Sequence, residues 1–364
     1  MSAVVPESTT VRAKQHATPE TRPRMRFNPK YLPLAATISL FVLMATLGSV
    51  FYDGFFSPQV FLNLLIDNAF LCIVGVGMTF VILSGGIDLS VGALIALTTM
   101  VSAALVEHAH WSAWETIPLV LAIGAAFGAF MGWLIQRFRL QPFIVTLAGM
   151  FLARGLCYLI SIDSISITDA TYAAISQERI PLGGGASITV GAVVALVVVA
   201  LGAWIAHATE FGRTVYAIGG SESSALLMGL PVARTRVLVY TISGFCSALA
   251  GVVFTFYMLS GYGLHAKGLE MDAIACAVVG GTLLTGGLGY VAGTLMGVLV
   301  YSTILSLINF DGTLSSWWTK IVVGVLLLVF CLLQKAFERK RSTGGSRPSS
   351  PARVPVQEKG RAVG

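Results

Sequence analysis

Charge is scarce in this chain. Asp, Glu, Lys and Arg make up 11% of its 364 residues, 55% are hydrophobic, and the mean hydropathy is +0.82. Soluble domains carry roughly 25% charged residues, so that class is excluded and a polytopic membrane protein is expected. No GxxxxGK[ST] phosphate loop occurs, so the chain cannot use ATP in the usual way. His16, His108, His110, His207 and His265 fall in a tail or in loops with no nucleophile partner, which argues against an enzyme. The cysteines (Cys72, Cys157, Cys246, Cys276, Cys331) are odd in number and form no CxxC or Cys/His cluster. They read as small apolar core residues and give neither a disulfide framework nor a metal site.

Apolar windows dominate instead, near 33–51, 67–84, 89–106, 117–136, 143–161, 188–206, 236–259, 272–288, 290–308 and 316–334. They predict an all-α polytopic fold of about ten transmembrane helices, with discontinuous helices around a central pathway. The expected organisation is a disordered basic tail (1–32), a membrane domain (33–335) and a second disordered basic tail (336–364). The first window is too long for a signal-peptide core and lacks a small-residue cleavage site, so it reads as a retained helix. With both termini in the cytoplasm, 19 of the 23 Lys/Arg lie in residues 1–30, in residues 335–364, in the 137–142 turn or in the 207–236 loop. That distribution satisfies the positive-inside bias and favours a membrane surface over nucleic acid as the partner of the basic tails. The stretches 162–187 and 260–271 are too polar for the bilayer, and 57–66 reads as a short interfacial helix. Gly124, Gly128 and Gly132, like Gly289, Gly293 and Gly297, stand four apart and predict close helix packing.

One polar stretch interrupts the apolar pattern: Ser84-Gly85-Gly86-Ile87-Asp88-Leu89-Ser90-Val91-Gly92. At 1.5 Å per residue it falls about 26 Å into a crossing that begins near Asp67, short of the inner water. Unsatisfied backbone at that depth costs several kcal/mol per group unless protein or a water-filled cavity satisfies it. Asp88 can cap the following helix, with its charge favoured by the helix dipole. The break is then either a tight turn or a half-helix end that lines a solute pathway through Ser84, Gly85, Gly86, Asp88 and Ser90. Thr285-Gly286-Gly287-Leu288 repeats the pattern [ST]GG[IL] 201 residues later and suggests a second break on the same cavity. Asp67, Arg154, Asp272 and Lys320 are the other ionisable groups in or beside the apolar windows. Asp67, Asp272 and Lys320 can sit at the interface, whereas Arg154 is expected to hold backbone carbonyls or a carboxylate.

The inner loop carries a short capped helix. Ser221 is a good N-cap, Glu222 suits the first turn, Gly229 suits the residue after the helix, and Pro231 bars continuation. Two turns are not stable alone in water, so Ala225, Leu226, Leu227 and Met228 must dock, on the chain's own inner surface or on a soluble partner.

Gly77–Leu97 ("GMTFVILSGGIDLSVGALIAL"), Tyr216–Leu230 ("YAIGGSESSALLMGL") and Val278–Gly297 ("VVGGTLLTGGLGYVAGTLMG") resemble the ribose/galactose-type permease subunits of bacterial ABC sugar importers. Within that family, Ile308–Ile321 ("INFDGTLSSWWTKI") most resembles galactofuranose importer permeases. The resemblance covers about residues 33–335 and implies a multi-pass protein of the inner membrane that carries a monosaccharide. It implies a cytoplasmic ABC ATPase that binds ATP and Mg, a second permease subunit and a periplasmic sugar-binding protein; no cofactor is expected on this chain. It makes Ser221–Gly229 the helix that couples to the ATPase. Where the family has Asn and an Ala-Ala pair, this chain has Ser221 and Ser224-Ala225, which points to a specialised ATPase groove. The rival reading is an ion-coupled secondary transporter, which would want several membrane carboxylates; only Asp88 is deep.

Overall fold

Each of the ten apolar windows contains a helix, but in the 272–288 window the helix stops at Val279 and residues 280–288 form a break. The structure is a computed structural model that describes residues 32–313, 315 and 317–345. It opens with α1 (Leu32–Phe51), α2 (Pro58–Ile66), α3 (Ala69–Leu83), α4 (Val91–Glu107), α5 (Ala113–Phe138) and α6 (Pro142–Ile160). A polar excursion follows: β1 (Ile165–Ser166), α7 (Ala170–Gln177), β2 (Arg179–Gly183) and β3 (Ala186–Thr189). The chain then forms α8 (Val190–Ala208), α9 (Glu210–Gly220), α10 (Glu222–Leu227), α11 (Val232–Met258), β4 (Ser260–Gly261), α12 (Leu269–Val279), α13 (Val291–Asp311) and α14 (Trp317–Gly345).

Among the described residues, seven helices are long and apolar enough to cross a membrane: α1, α5, α6, α8, α11, α13 and α14. The bent pair α2 and α3, at 55°, can supply an eighth span. α4 is apolar but shorter, and α12 has only 11 residues, so these two belong with the breaks next to them. The disordered-tail expectations fall largely on residues 1–31 and 346–364, outside the described residues. α14 runs to Gly345, beyond the boundary expected at 335.

The core is built on α3 and α11. Every residue of α3 except Phe70 is buried, which fits its apolar character on all sides. α11 lies along α5, where Gly124 and Gly128 face Gly244 and its neighbours so closely that an added β-carbon at either would overlap them. Gly297 meets the Cys276 carbonyl and Gly293 meets Gly280 in the same way, so these stripes serve packing. Gly289 departs from that expectation, because α13 begins only at Val291 and Gly289 lies in the break before it. The Thr79 and Thr294 hydroxyls pair at 2.6 Å between α3 and α13.

The two polar stretches predicted to lie outside the bilayer meet each other, with Ile165 paired to Gly261 and Ser166 to Ser260. β2 and β3 form a hairpin whose Ser187 is held to α2 by the Gln59 side-chain amide, which donates to the Ser187 carbonyl and accepts from its backbone amide. α2 starts on Pro58 behind an N-cap from Ser57, as its sequence predicts.

Candidate functional site

α3 ends at Leu83 in a left-handed C-terminal turn. Ser84 is the last half-helical residue, Gly85 takes φ +81°, and Gly85 and Gly86 donate to the Ile82 and Val81 carbonyls at 2.9 and 3.0 Å. This pair of bonds satisfies carbonyls that the helix end would otherwise leave bare, and it favours a glycine at the left-handed position. Ser84 adds a bond from its own hydroxyl to the Val81 carbonyl at 2.8 Å.

Beyond Gly86 the break is organised by one carboxylate. Asp88 is 2% exposed. Its Oδ1 accepts from the Ser90 amide at 2.9 Å and the Ser90 hydroxyl at 2.6 Å, and its Oδ2 accepts from the Ser243 hydroxyl of α11 at 2.7 Å. Ser90, rather than Asp88, is the N-cap residue of α4, and its side chain makes no capping bond of its own. Asp88 therefore braces the residue ahead of the helix and fastens the break to α11. Ser243 lies 155 residues away in sequence, and its only sequence signal is a small polar residue within an apolar run. Thr146 of α6 donates to the Ile87 carbonyl at 3.2 Å and completes the enclosure.

A second break joins α12 to α13. Gly281 takes φ +96° and donates to Val278, while Thr282 donates to Ala277, so this helix ends in the same two-bond turn as α3. By structure Gly281 thus matches Gly85. The sequence echo at Thr285-Gly286-Gly287 lies instead in the middle of the loop, so it marks a true second break through residues that do a different job.

That job is contact. The Gly287 amide donates to the Leu83 carbonyl at 2.9 Å, and a β-carbon on Gly286 would come within 3.0 Å of the Gly85 backbone. The C-terminal end of α9 wedges into the same place: a β-carbon at Gly219 would overlap the Leu83 carbonyl oxygen and the Gly287 amide nitrogen. Tyr216 of α9 donates its hydroxyl to the Gly289 carbonyl at 2.8 Å. Ser84, Gly85, Gly86, Gly286 and Gly287 are therefore brought together, while Asp88 and Ser90 direct their bonds to each other and to α11. α9 is the element that sequence reasoning missed, having been assigned to the loop. Its signals are the Thr209 N-cap, the helical spacing of Val215 and Ile218 three residues apart, and Gly219-Gly220 directly ahead of Ser221.

α10 follows the wedge without a gap. Ser221 caps it by accepting from the Ser224 amide, Met228 is its C-cap residue, and Gly229 follows. Glu222 pairs with Arg236 of α11 at 2.6 Å, which pins the first turn. Leu226, Leu227 and Met228 are 57%, 90% and 66% exposed. Of the four apolar residues expected to dock, Ala225 meets the chain itself: it is fully buried in a small cluster with Ile218 and Val232. α10 thus docks on its own chain through one small residue and presents three large ones.

Three of the remaining ionisable groups, Arg154, Asp272 and Lys320, have defined partners, whereas Asp67 lines a cavity at the far end of α3. Arg154 donates to the Gly263 and His265 carbonyls at 2.6 and 2.7 Å, as expected. Burial and the Arg154 guanidinium hold the His265 imidazole below its ordinary range. Lys320 does not simply reach for the interface: it bonds both oxygens of buried Asp272, at 2.8 and 2.6 Å, and so joins α14 to α12. Among the described residues no His/Cys/Asp/Glu group could hold a metal ion.

Two cavities open at the far end of α3. One, about 280 Å³, is lined by Asn63, Asp67, Phe70, Arg179 and Tyr257 among others. The other, about 340 Å³, shares Asp67, Phe70 and Tyr257 and extends to Tyr301, Ser306 and Asn309. None of the residues at either break lines them. The 15 residues of α3 separate these cavities from the glycine contact by about 22 Å.

Residues 60–331 match the family described as "Branched-chain amino acid transport system / permease component". The chain is 49% identical over 304 residues to the inner membrane ABC transporter permease protein YjfF of Escherichia coli, covering 84% of this chain and 92% of that one. It is 42% identical over 317 residues to the fructose import permease protein FruG of Bifidobacterium longum, covering 85% and 93%. It is 37% identical over 323 residues to the ribose import permease protein RbsC of Bacillus subtilis, covering 88% and 96%. No solved structure matches the chain significantly. The chain therefore belongs to this family of membrane permease components, as a transport subunit and not an enzyme.

Proposed function

We propose that the chain is the permease subunit of an ATP-driven ABC importer that moves a monosaccharide from periplasm to cytoplasm across the inner membrane, with both termini cytoplasmic. The observation that carries this reading is the junction of the two broken helices with α9, immediately before α10. In it, α9 is a lever. A push on α10 is transmitted through Gly219 and Tyr216 to both breaks at once, so a soluble engine can open a membrane gate it never touches.

The cavities around Asp67 and Tyr257 receive sugar from a periplasmic binding protein. The residues Ser84, Gly85, Gly86, Asp88, Ser90, Thr285, Gly286 and Gly287 form the inner closure of the pathway. α10 seats in a groove of the ATPase, which binds ATP and Mg, and a second permease subunit completes the pore. The relatives named for fructose and ribose import support a sugar over an amino acid. Galactofuranose is the sugar proposed, because Ile308–Ile321 resembles permeases for it.

Reconstitution in proteoliposomes tests the reading. Alone, the chain releases no phosphate from ATP and concentrates no sugar; with the ATPase and binding protein it accumulates labelled galactofuranose when ATP is inside. Accumulation by the chain alone, driven by an ion gradient, would overturn the importer reading in favour of secondary transport.

A further inference from the structure

An open groove of about 750 Å³ lies between the last turn of α5 and the first turns of α11, on the side of α10. Arg137, Arg139 and Arg234 line it together with Trp133 and Gln136, and no carboxylate does. Among the described residues none of the three guanidiniums has a hydrogen-bond or ion-pair partner; Arg137 lies over the Phe138 ring at 5.9 Å. Arg236, the neighbouring cation, is already committed to Glu222 and to the Gln136 side chain.

Arg139 occupies a telling position. It ends α5 with φ +52°, in the left-handed conformation that glycine adopts at no steric cost, yet the residue there is arginine. Helix termination alone would favour glycine. Beside the arginines, Phe130 stacks on Trp133 at 6.1 Å and Trp133 meets Phe138 edge-on at 5.9 Å, all three exposed. Tryptophan at this level marks the boundary between headgroups and acyl chains.

The geometry points to this groove as a binding site for the headgroup of an anionic glycerophospholipid, with its phosphate among the three guanidiniums and its acyl chains along Trp133 and Leu238. Charge complementarity selects this occupant: three unpartnered cations at the membrane–water boundary match a lipid phosphate, and the aromatic wall beside them matches hydrocarbon. The site also adjoins the brace of α10, because Gln136 contacts the same Arg236 that holds Glu222.

Trp133 provides the reporter. The full chain is placed in phosphatidylcholine vesicles containing brominated phosphatidylglycerol, and the Trp133 emission is taken as the difference from W133F. The expected result is stronger quenching by brominated phosphatidylglycerol than by brominated phosphatidylcholine at equal mole fraction. In R137Q/R139Q/R234Q the preference falls roughly a hundredfold, each near-surface cation accounting for a factor of about five, while the triple lysine variant keeps most of it. If the triple variant does not fold, R234Q alone must show the fivefold loss. Equal quenching by both lipids, unchanged preference in the glutamine variants, or displacement by inorganic phosphate would overturn the site. So would loss of the preference when a soluble partner protein binds, since the groove would then belong to that protein.

Discussion

The two broken helices begin alike and end differently. Each terminates a buried helix with a glycine in the left-handed region, Gly85 or Gly281, and the same two backbone bonds. After that the first break needs only seven residues, all of them buried or partly so except Gly85, and rests on a side chain: Asp88 gathers Ser90 and Ser243. The second takes eleven residues, has no carboxylate, exposes Leu284 and Leu288, and is held by close backbone contacts of Gly286 and Gly287 and by two neutral side chains, Tyr216 on the Gly289 carbonyl and Gln334 on the Thr282 carbonyl. A break held by a buried, fully bonded carboxylate has one stable arrangement, because any other leaves polar groups unpaired in a low-dielectric interior. A break held by close glycine contacts and a few neutral hydrogen bonds has less to lose when it parts than one built on a buried charge. In the transport cycle proposed above, the first is the fixed partner and the second the moving piece.

The contrast makes different substitutions unequal in their cost. The largest effect is expected at the joint itself. Gly219→Ala puts a methyl group into the Leu83 carbonyl and the Gly287 amide, where only backbone surrounds it, so overpacking of about 1–3 kcal/mol or a separated joint must result. Transport should be lost, with a lower unfolding temperature by scanning fluorimetry; normal uptake would show that α9 does not need to touch the breaks.

Asp88→Ala comes next. It strands the Ser90 amide and the Ser243 hydroxyl, at about 1–3 kcal/mol for each buried group left unpaired. Uptake should fall sharply while membrane insertion persists. The added variant Ser243→Ala should recover part of the stability lost, since it removes one of the stranded groups. No such coupling in a double-mutant cycle would mean that Asp88 is not the hub of the first break.

The smallest effect is expected where the flanking helices meet away from both breaks. Thr79→Val removes the hydroxyl pair with Thr294, and bonds of this kind between membrane helices average about 0.6 kcal/mol. Stability should drop by about that much with uptake near normal. A transport defect as large as that of Asp88→Ala would move the working contact from the breaks to the α3–α13 seam.

Much of this was legible beforehand, and the reasons are local. Ten apolar windows gave ten helices because a bilayer leaves the backbone no other way to satisfy itself. Ser84-Gly85-Gly86 announced a helix end, and Ser221, Glu222 and Gly229 announced α10, because caps and left-handed turns depend on residues within one turn of each other. Long-range choices were hidden. Nothing near Asp88 names Ser243, nothing near Asp272 names Lys320, and Ala225 turns inward only because Ile218 and Val232 wait there. The echo at Thr285 misled in register for the same reason: similar glycines can end a helix or let two backbones touch, and only the partner decides which.

The central claim is that α10 transmits the work of a soluble ATPase to the paired breaks. Leu227, 90% exposed, is the residue to change, since Leu227→Asp leaves the fold untouched and puts a charge where an apolar contact is required. The decisive measurement is ATP-dependent sugar uptake, with hydrolysis followed in parallel, in proteoliposomes holding permease, ATPase and binding protein. The account predicts that the variant inserts normally but loses uptake, with the ATPase either absent from the purified complex or hydrolysing ATP without transport. Wild-type uptake at wild-type hydrolysis would contradict it.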